Sequence, residues 1–330
     1  MRDTLNHLLS YQTLDRAEAR QVLLELASGS VNPAQAAAFL TVYMMRSITV
    51  EELRGFREAM LELCVPVTFP DHATIDVCGT GGDGKDTFNI STLAAFVVAG
   101  AGQPVAKHGN NGVSSVCGSS NVMQHLGYRF TNDLDVLRRQ LDHAGLCFLH
   151  APLFHPAMKH VAPIRKQLGV KTFFNMLGPM VNPARPPFQL VGVFSLELTR
   201  LYAYLYQRTD VRFAIIHSLD GYDEVSLTGP FRLMTPEGER VVAPEALEMH
   251  QVKPEELHGG RSVEEAAKIF VSVLDGEGTP AQRAAVCANA GLALHCTRPE
   301  LTLIHAVRQA EESLDSGRAR AVFDRLMSSQ

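Results

Sequence analysis

The densest chemistry of the chain lies at residues 76–92, DVCGTGGDGKDTFNIST. Gly79, Gly81, Gly82 and Gly84 fall within six residues and are followed by Thr87, Asn89, Ser91 and Thr92. Glycines let backbone N–H groups close around an anion, and a helix opening at Ser91 or Thr92 adds about half a positive charge. Phosphate or pyrophosphate is the guest such a turn suits. The plain alternative is a glycine-rich connection without a ligand, but four hydroxyl or amide side chains directly after it favour the ligand.

Two familiar phosphate motifs nearly fit and fail on physical grounds. Gly79-x-Gly81-x-x-Gly84 matches the dinucleotide pattern, yet the helix starts late, and the next strand carries Lys107 where a carboxylate should meet the ribose. Gly84-Lys85 matches the end of a nucleotide-triphosphatase loop, yet Asp86 stands where Ser or Thr must reach the metal.

A second loop follows the next strand, as Lys107-His108-Gly109-Asn110-Asn111-Gly112 through Ser115, with Gly118-Ser119-Ser120 opening a helix. In open α/β sheets ligands sit at the carboxyl ends of strands, so two adjacent loops of this kind suit an extended polyphosphate. The third element is Asp220-Gly221-Tyr222-Asp223-Glu224-Val225-Ser226, after another strand. Adjacent carboxylates repel, and they make sense as ligands of Mg²⁺, which takes a few carboxylates plus substrate oxygens. Nothing else competes. His155 and His160 lack metal-ligand spacing, no GxSxG elbow occurs, and no cysteine is paired with a recognisable base, so a protein nucleophile has no candidate.

These elements need a scaffold, and the periodicity supplies two. Residues 1–70 read as helical, with starts at Asp15/Glu18, Asn32-Pro33/Gln35 and Thr49/Glu52. From Ala73, strands at 73–78, 104–106, 146–149, 189–194 and 212–217 alternate with helices at 91–101, 119–126, 134–144, 156–168 and 197–207. Phe231–Val242 reads as a hairpin, and the last seventy residues as helices. The expected fold is α/β: a small N-terminal helical domain, 1–70, completed by part of 160–185, and a larger domain, 71–330, with a mainly parallel sheet. Asn175 to Pro183 reads first as a turn between the two regions, with a site role second.

Composition is globular, with 46% apolar and 20% charged residues over 330 positions. A net charge of -5 argues against a general nucleic-acid binder. No apolar run is long enough to span a bilayer, and the start lacks the pattern of a signal peptide. Six scattered cysteines read as thiols of a reducing compartment, so a cytoplasmic protein is expected.

Taken together, GTGGDGKDTFNIST, KHGNNGVSS with GSSN, Arg165 before FNMLGPMVNP, and DGYDE resemble the anthranilate phosphoribosyltransferase family of tryptophan biosynthesis. The likeness runs nearly the whole chain in order and includes the N-terminal helices and Asn289-Ala290. It implies a nucleoside phosphorylase/phosphoribosyltransferase-like fold and a homodimer through the helical domains. The activity implied is Mg²⁺-dependent transfer of phosphoribose from phosphoribosyl pyrophosphate to the amine of anthranilate. It also implies that Gly79, Gly82, Asp83, Thr87, Asn89, Ser91, Thr92, Lys107, Ser115 and Ser119 surround phosphoribosyl pyrophosphate, with Lys107 acting electrostatically. Ser91, Asp223 and Glu224 would hold the metal, and Gly79, Asn110 and Arg165 would face anthranilate. Three positions depart from the family: Asn111 stands where Arg is usual, Asn121 where Asp is usual, and Lys171 where Arg is common. A nucleoside phosphorylase of the same fold would need no metal pair. A nucleic-acid-binding relative would show a basic surface and decayed metal ligands.

Overall fold

The computed structural model describes residues 1–112 and 116–330. After α1 (Arg2–Leu9), each N-terminal helix begins where a side chain can satisfy the free N–H groups of a first turn. Asp15 and Glu18 form a reciprocal capping box at α2 (Arg16–Ser28). Asn32 accepts from the Ala34 N–H at α3 (Pro33–Met45), and Thr49 with Glu52 caps α4 (Val50–Leu63). All three expected helix starts are present.

The chain continues through β1 (Ile75–Gly79), α5 (Ile90–Gly100), β2 (Val105–Gly109), α6 (Ser119–His125), α7 (Leu134–Ala144) and β3 (Leu146–His150). Short helices α8 (Ala151–Phe154), α9 (Ala162–Leu168) and α10 (Phe174–Leu177) precede β4 (Phe188–Gly192), α11 (Leu196–Tyr206) and β5 (Arg212–Ser218). The hairpin of β6 (Phe231–Thr235) and β7 (Gly238–Val242) follows. Helices α12 (Val263–Leu274), α13 (Pro280–Thr297), α14 (Leu303–Asp315) and α15 (Arg318–Ser328) close the chain.

Two compact units result: Met1–Val67 with Ala151–Pro183, and Thr68–His150 with Ala184–Gln330. The segment added to the helical unit thus begins at Ala151, earlier than the expected 160, and the α/β unit gives up 151–183. The helix expected over 156–168 is broken into a 3₁₀ turn, Pro156–His160, and α9. Pro163 explains the break: it has no N–H to donate, and its ring would meet the carbonyl of Lys159 in a continuous helix.

The α/β unit carries one seven-stranded sheet in the order β3-β2-β1-β4-β5-β6-β7. The first five strands are parallel, and the hairpin is antiparallel to β5. The fold is α/β with a mainly parallel sheet. Leu93 through Val98 of α5 are fully buried, as a helix apolar on every side must be. The helix that follows the glycine-rich turn is therefore fixed in the core. β1 and β2 end at Gly79 and Gly109, where the two loops begin.

Candidate active site

Gly79 pairs with Gly192 at the ends of β1 and β4, and both are glycine because Asp223 lies against them. A Cβ on Gly79 would stand 2.5 Å from Asp223 Oδ2, and one on Gly192 would overlap the Asp223 carbonyl. The Gly81 N–H donates to Asp223 Oδ2 at 2.5 Å. Gly81, Gly82 and Gly84 all have positive φ, and so does Asp86 at 48°, a conformation that is strained for a residue with a side chain. Asp83 sits inside the turn, where one oxygen accepts the Lys85 N–H and the other the Asp223 N–H at 3.5 Å.

Beside Asp223, Glu224 receives both the side-chain and backbone N–H hydrogen bonds of Ser91, in the first turn of α5. Both carboxylates are buried. Burial, then the charges of Glu224 and Asp83, pushes the Asp223 carboxyl well above its ordinary range. Burial raises Glu224 to about 7 despite the nearby charge of Lys107 and the Ser91 hydrogen bonds. The backbone just after the pair is held from a distant helix. Asn289 on α13 accepts the Val225 N–H at 3.0 Å and donates to the Val225 carbonyl at 3.0 Å. Asp220, the other acid of this turn, is engaged by the Thr228 hydroxyl.

Lys107 is placed differently from the expectation of a cation that meets the ligand. Its side chain is 1% exposed, and Nζ donates to the Val77 carbonyl. Burial lowers its pKa, while Asp76, Cys78 and Glu224 act the other way. Its charge reaches the site from beneath, through Glu224. Thr92 is also buried, so its side chain belongs to the core.

The two glycine-rich loops are joined. Asn89, at the start of α5, donates from Nδ2 to the Cys117 carbonyl. In the second loop, the Asn110 carbonyl accepts from Ser119 Oγ and the Ser120 N–H. Asn110 Oδ1 accepts the Asn111 N–H. Asn121 Oδ1 accepts from both Gly112 N–H at 2.8 Å and Gly118 N–H at 3.0 Å. An amide oxygen thus serves where the resemblance leads one to expect a carboxylate. Ser115 lies outside the described residues.

Arg165, in α9 of the helical unit, donates from Nη2 to Asn175 Oδ1 at 3.2 Å and lies 5.2 Å from the centre of the Phe174 ring. Asn175 Oδ1 also accepts the Thr172 N–H. The Asn175 segment therefore orients Arg165 and is more than a turn between regions. Sequence reasoning missed Gly192, which had no signal, and it named Asn289 only as part of the resemblance, without the role of holding the Val225 backbone.

The donor set suits Mg²⁺. Among the described residues, no three His, Cys, Asp or Glu side chains gather into a metal cage. Two buried acids short of positive charge, with the Ser91 hydroxyl beside them, match an ion that completes its shell with water and substrate oxygens.

Comparison with known proteins gives consistent results. The glycosyl transferase family's a/b domain matches residues 71–320, and its helical bundle domain matches residues 2–64. An anthranilate phosphoribosyltransferase of Cytophaga hutchinsonii is 55% identical over 323 residues, 98% of each chain. The crystal structure of anthranilate phosphoribosyltransferase from Thermus thermophilus is similar with a TM-score of 0.92 and 35% identity over 99% of each chain. The Saccharomyces cerevisiae enzyme in complex with PRPP and Mg is similar with a TM-score of 0.91. It is 26% identical, over 98% of this chain and 96% of that one.

Proposed function

The chain belongs to the anthranilate phosphoribosyltransferase family, and on that premise we infer its reaction and the residues that carry it. It transfers the phosphoribosyl group of 5-phosphoribosyl 1-pyrophosphate to the amine of anthranilate, giving N-(5-phosphoribosyl)anthranilate and pyrophosphate, a step of tryptophan biosynthesis. The observation that carries this reading is the buried Asp223–Glu224 pair, tied to the glycine-rich loop by Gly81 and to the α5 N-terminus by Ser91.

Gly79, Gly82, Asp83, Thr87, Asn89, Ser91 and Ser119 line the place for phosphoribosyl pyrophosphate. Thr92 contributes through the first turn of α5, and Lys107 through its field. Asp223, Glu224 and the Ser91 hydroxyl would hold Mg²⁺, which when bound supplies positive charge to the pyrophosphate oxygens. The anthranilate nitrogen bonds to ribose C1 as the bond from C1 to the pyrophosphate oxygen breaks, and the nitrogen then sheds a proton. Direct displacement asks little covalent chemistry of the protein. Positioning and charge carry the rate: the glycine-rich loop and the positive end of the α5 dipole would stabilise the oxygens that gain charge. Gly79, Asn110 and Arg165 receive anthranilate, with the Arg165 guanidinium matched to its carboxylate.

The protein works as a homodimer through its helical unit, whose Leu9, Tyr11, Met44 and Met45 are exposed apolar side chains. Its six free, buried thiols suit the reducing cytoplasm. The test is direct. Protein, Mg²⁺, phosphoribosyl pyrophosphate and anthranilate are mixed, and loss of anthranilate fluorescence is followed. Persistence of the signal with folded protein rejects the reading.

A further inference from the structure

The glycine-rich loop is held at two points. Near its start, the Gly81 N–H meets Asp223. Near its end, residues 86–88 are gripped by a segment more than 160 positions away in the chain. The Gly259 N–H donates to the Asp86 carbonyl at 2.8 Å, and the Phe88 N–H donates to the Leu257 carbonyl at 3.0 Å. Thr87 and His258 form an antiparallel bridge between them. The gripping segment is itself anchored, because Leu257 is fully buried in the core and α12 begins shortly after at its Ser262 cap.

Contact at Gly259 is as close as backbone allows. A Cβ there would lie 2.6 Å from the Thr87 oxygen, 2.8 Å from the Thr87 carbonyl carbon and 2.9 Å from the Phe88 nitrogen. All three are backbone atoms, so a methyl group cannot be accommodated by turning a side chain. The loop is the softer partner: three of its glycines and Asp86 have positive φ, whereas Leu257 is fixed in the core. Asp86 holds its left-handed conformation with its carbonyl bonded to Gly259, so the strain at Asp86 and the grip of Gly259 coincide at one peptide.

We propose that Leu257–Gly259 is a strap that sets the position of the glycine-rich loop, with Gly259 a positioning residue for phosphoribosyl pyrophosphate. This rests on the reading that the loop receives that substrate. Gly259 touches no reacting atom and acts through Thr87 and through Asn89 just beyond it.

The experiment has two arms. In the first, Gly259→Ala is compared with Gly229→Ala, a methyl added where nothing lies within 4 Å. The strap predicts that Gly259→Ala raises the KM for phosphoribosyl pyrophosphate about tenfold or more, with the KM for anthranilate within about twofold. Gly229→Ala should change neither. A Gly259→Ala enzyme with both KM values unchanged overturns the strap, whatever its melting temperature. In the second arm, amide hydrogen exchange of the ligand-free wild type is followed, which needs no variant to fold. Phe88 and Gly259 should be protected, and Gly82 to Lys85 should gain protection only when Mg²⁺ and phosphoribosyl pyrophosphate are added. Equal, fast exchange of Phe88, Gly259 and Gly82 to Lys85 without ligand overturns the strap. If wild type binds no phosphoribosyl pyrophosphate in a titration, the functional reading falls, and the exchange of Phe88 and Gly259 still decides the strap.

Discussion

Each unit buries carboxylates, and the two treat them in opposite ways. In the helical unit Glu52 is fully buried. Burial alone would raise its pKa, but Arg46 and the N–H groups of Thr49 and Leu14 hold it below the ordinary value. Tyr43 donates to it as well, at 3.0 Å. Every lone pair has a partner from the protein. In the α/β unit Asp223 and Glu224 are buried beside one another, with Asp83 close by, and both are pushed up. A satisfied buried acid ties elements together, whereas an acid left short of positive charge is set up for a cation from outside.

The largest expected effect breaks the unsatisfied pair. Asp223→Asn with Glu224→Gln should lower kcat/KM more than about a thousandfold, roughly 4 kcal/mol of transition-state stabilisation. The melting temperature should hold or rise, because neutral amides of the same shape replace two buried acids whose charged forms are disfavoured there. Turnover near that of wild type would sink the metal assignment. Glu52→Ala is the mirror experiment. It strands Arg46 and Tyr43 and should cost about 3 kcal/mol of stability in denaturant unfolding, with both KM values unchanged in the folded fraction. The sign with pH follows from the depressed pKa. The Glu52 contribution is present above the ordinary carboxyl range and is lost as pH falls through the lowered folded value, so the variant should show a shallower acid limb.

Arg165 sharpens the comparison, since it is a cation of the helical unit held by an amide and not by an acid. Among the described residues no acid pairs with this half-buried guanidinium, which is what the proposed role toward the anthranilate carboxylate needs. Arg165→Ala should raise the KM for anthranilate by about one to two powers of ten, or 1.5–3 kcal/mol. The melting temperature and the KM for phosphoribosyl pyrophosphate should barely move. An unchanged anthranilate KM with a lowered melting temperature would return Arg165 to a structural role. The smallest effect concerns Asn111, an exposed loop residue. Asn111→Arg should tighten phosphoribosyl pyrophosphate binding by about two- to fivefold, chiefly at low salt, as a screened surface charge does. Equal affinity at every ionic strength would show that other groups already serve the loop.

Where chemistry is local in sequence, it could be read directly. The capping pairs at Asp15 and Thr49, the glycine run from Gly79 and the acids at Asp223 and Glu224 each declare themselves within a few residues. What was hidden depends on contacts between distant segments. Gly192 is glycine only because Asp223 passes over it, and Gly259 only because Thr87 does. Lys107 looks in sequence like a ligand-facing cation. Its burial follows from β2 being covered on both faces, which spacing alone does not reveal. The single long helix expected over 156–168 failed at Pro163, a breaker visible in the sequence but outweighed there by periodicity.

The helical unit is assembled from two stretches of chain separated by three strands of the sheet. Its aromatic centre shows what that means during synthesis. Phe39 and Phe56, from the first stretch, pack against Phe173 from the second, with the Phe56 and Phe173 rings stacked 4.6 Å apart. At about 5–20 residues per second, the ribosome needs of order ten seconds between releasing α4 and supplying Phe173. Through that interval Phe39, Tyr43 and Phe56 of the first stretch have one another but lack the Phe173 ring that completes their cluster. The aromatic centre of the helical unit is complete only when Phe173, at the start of α10, arrives.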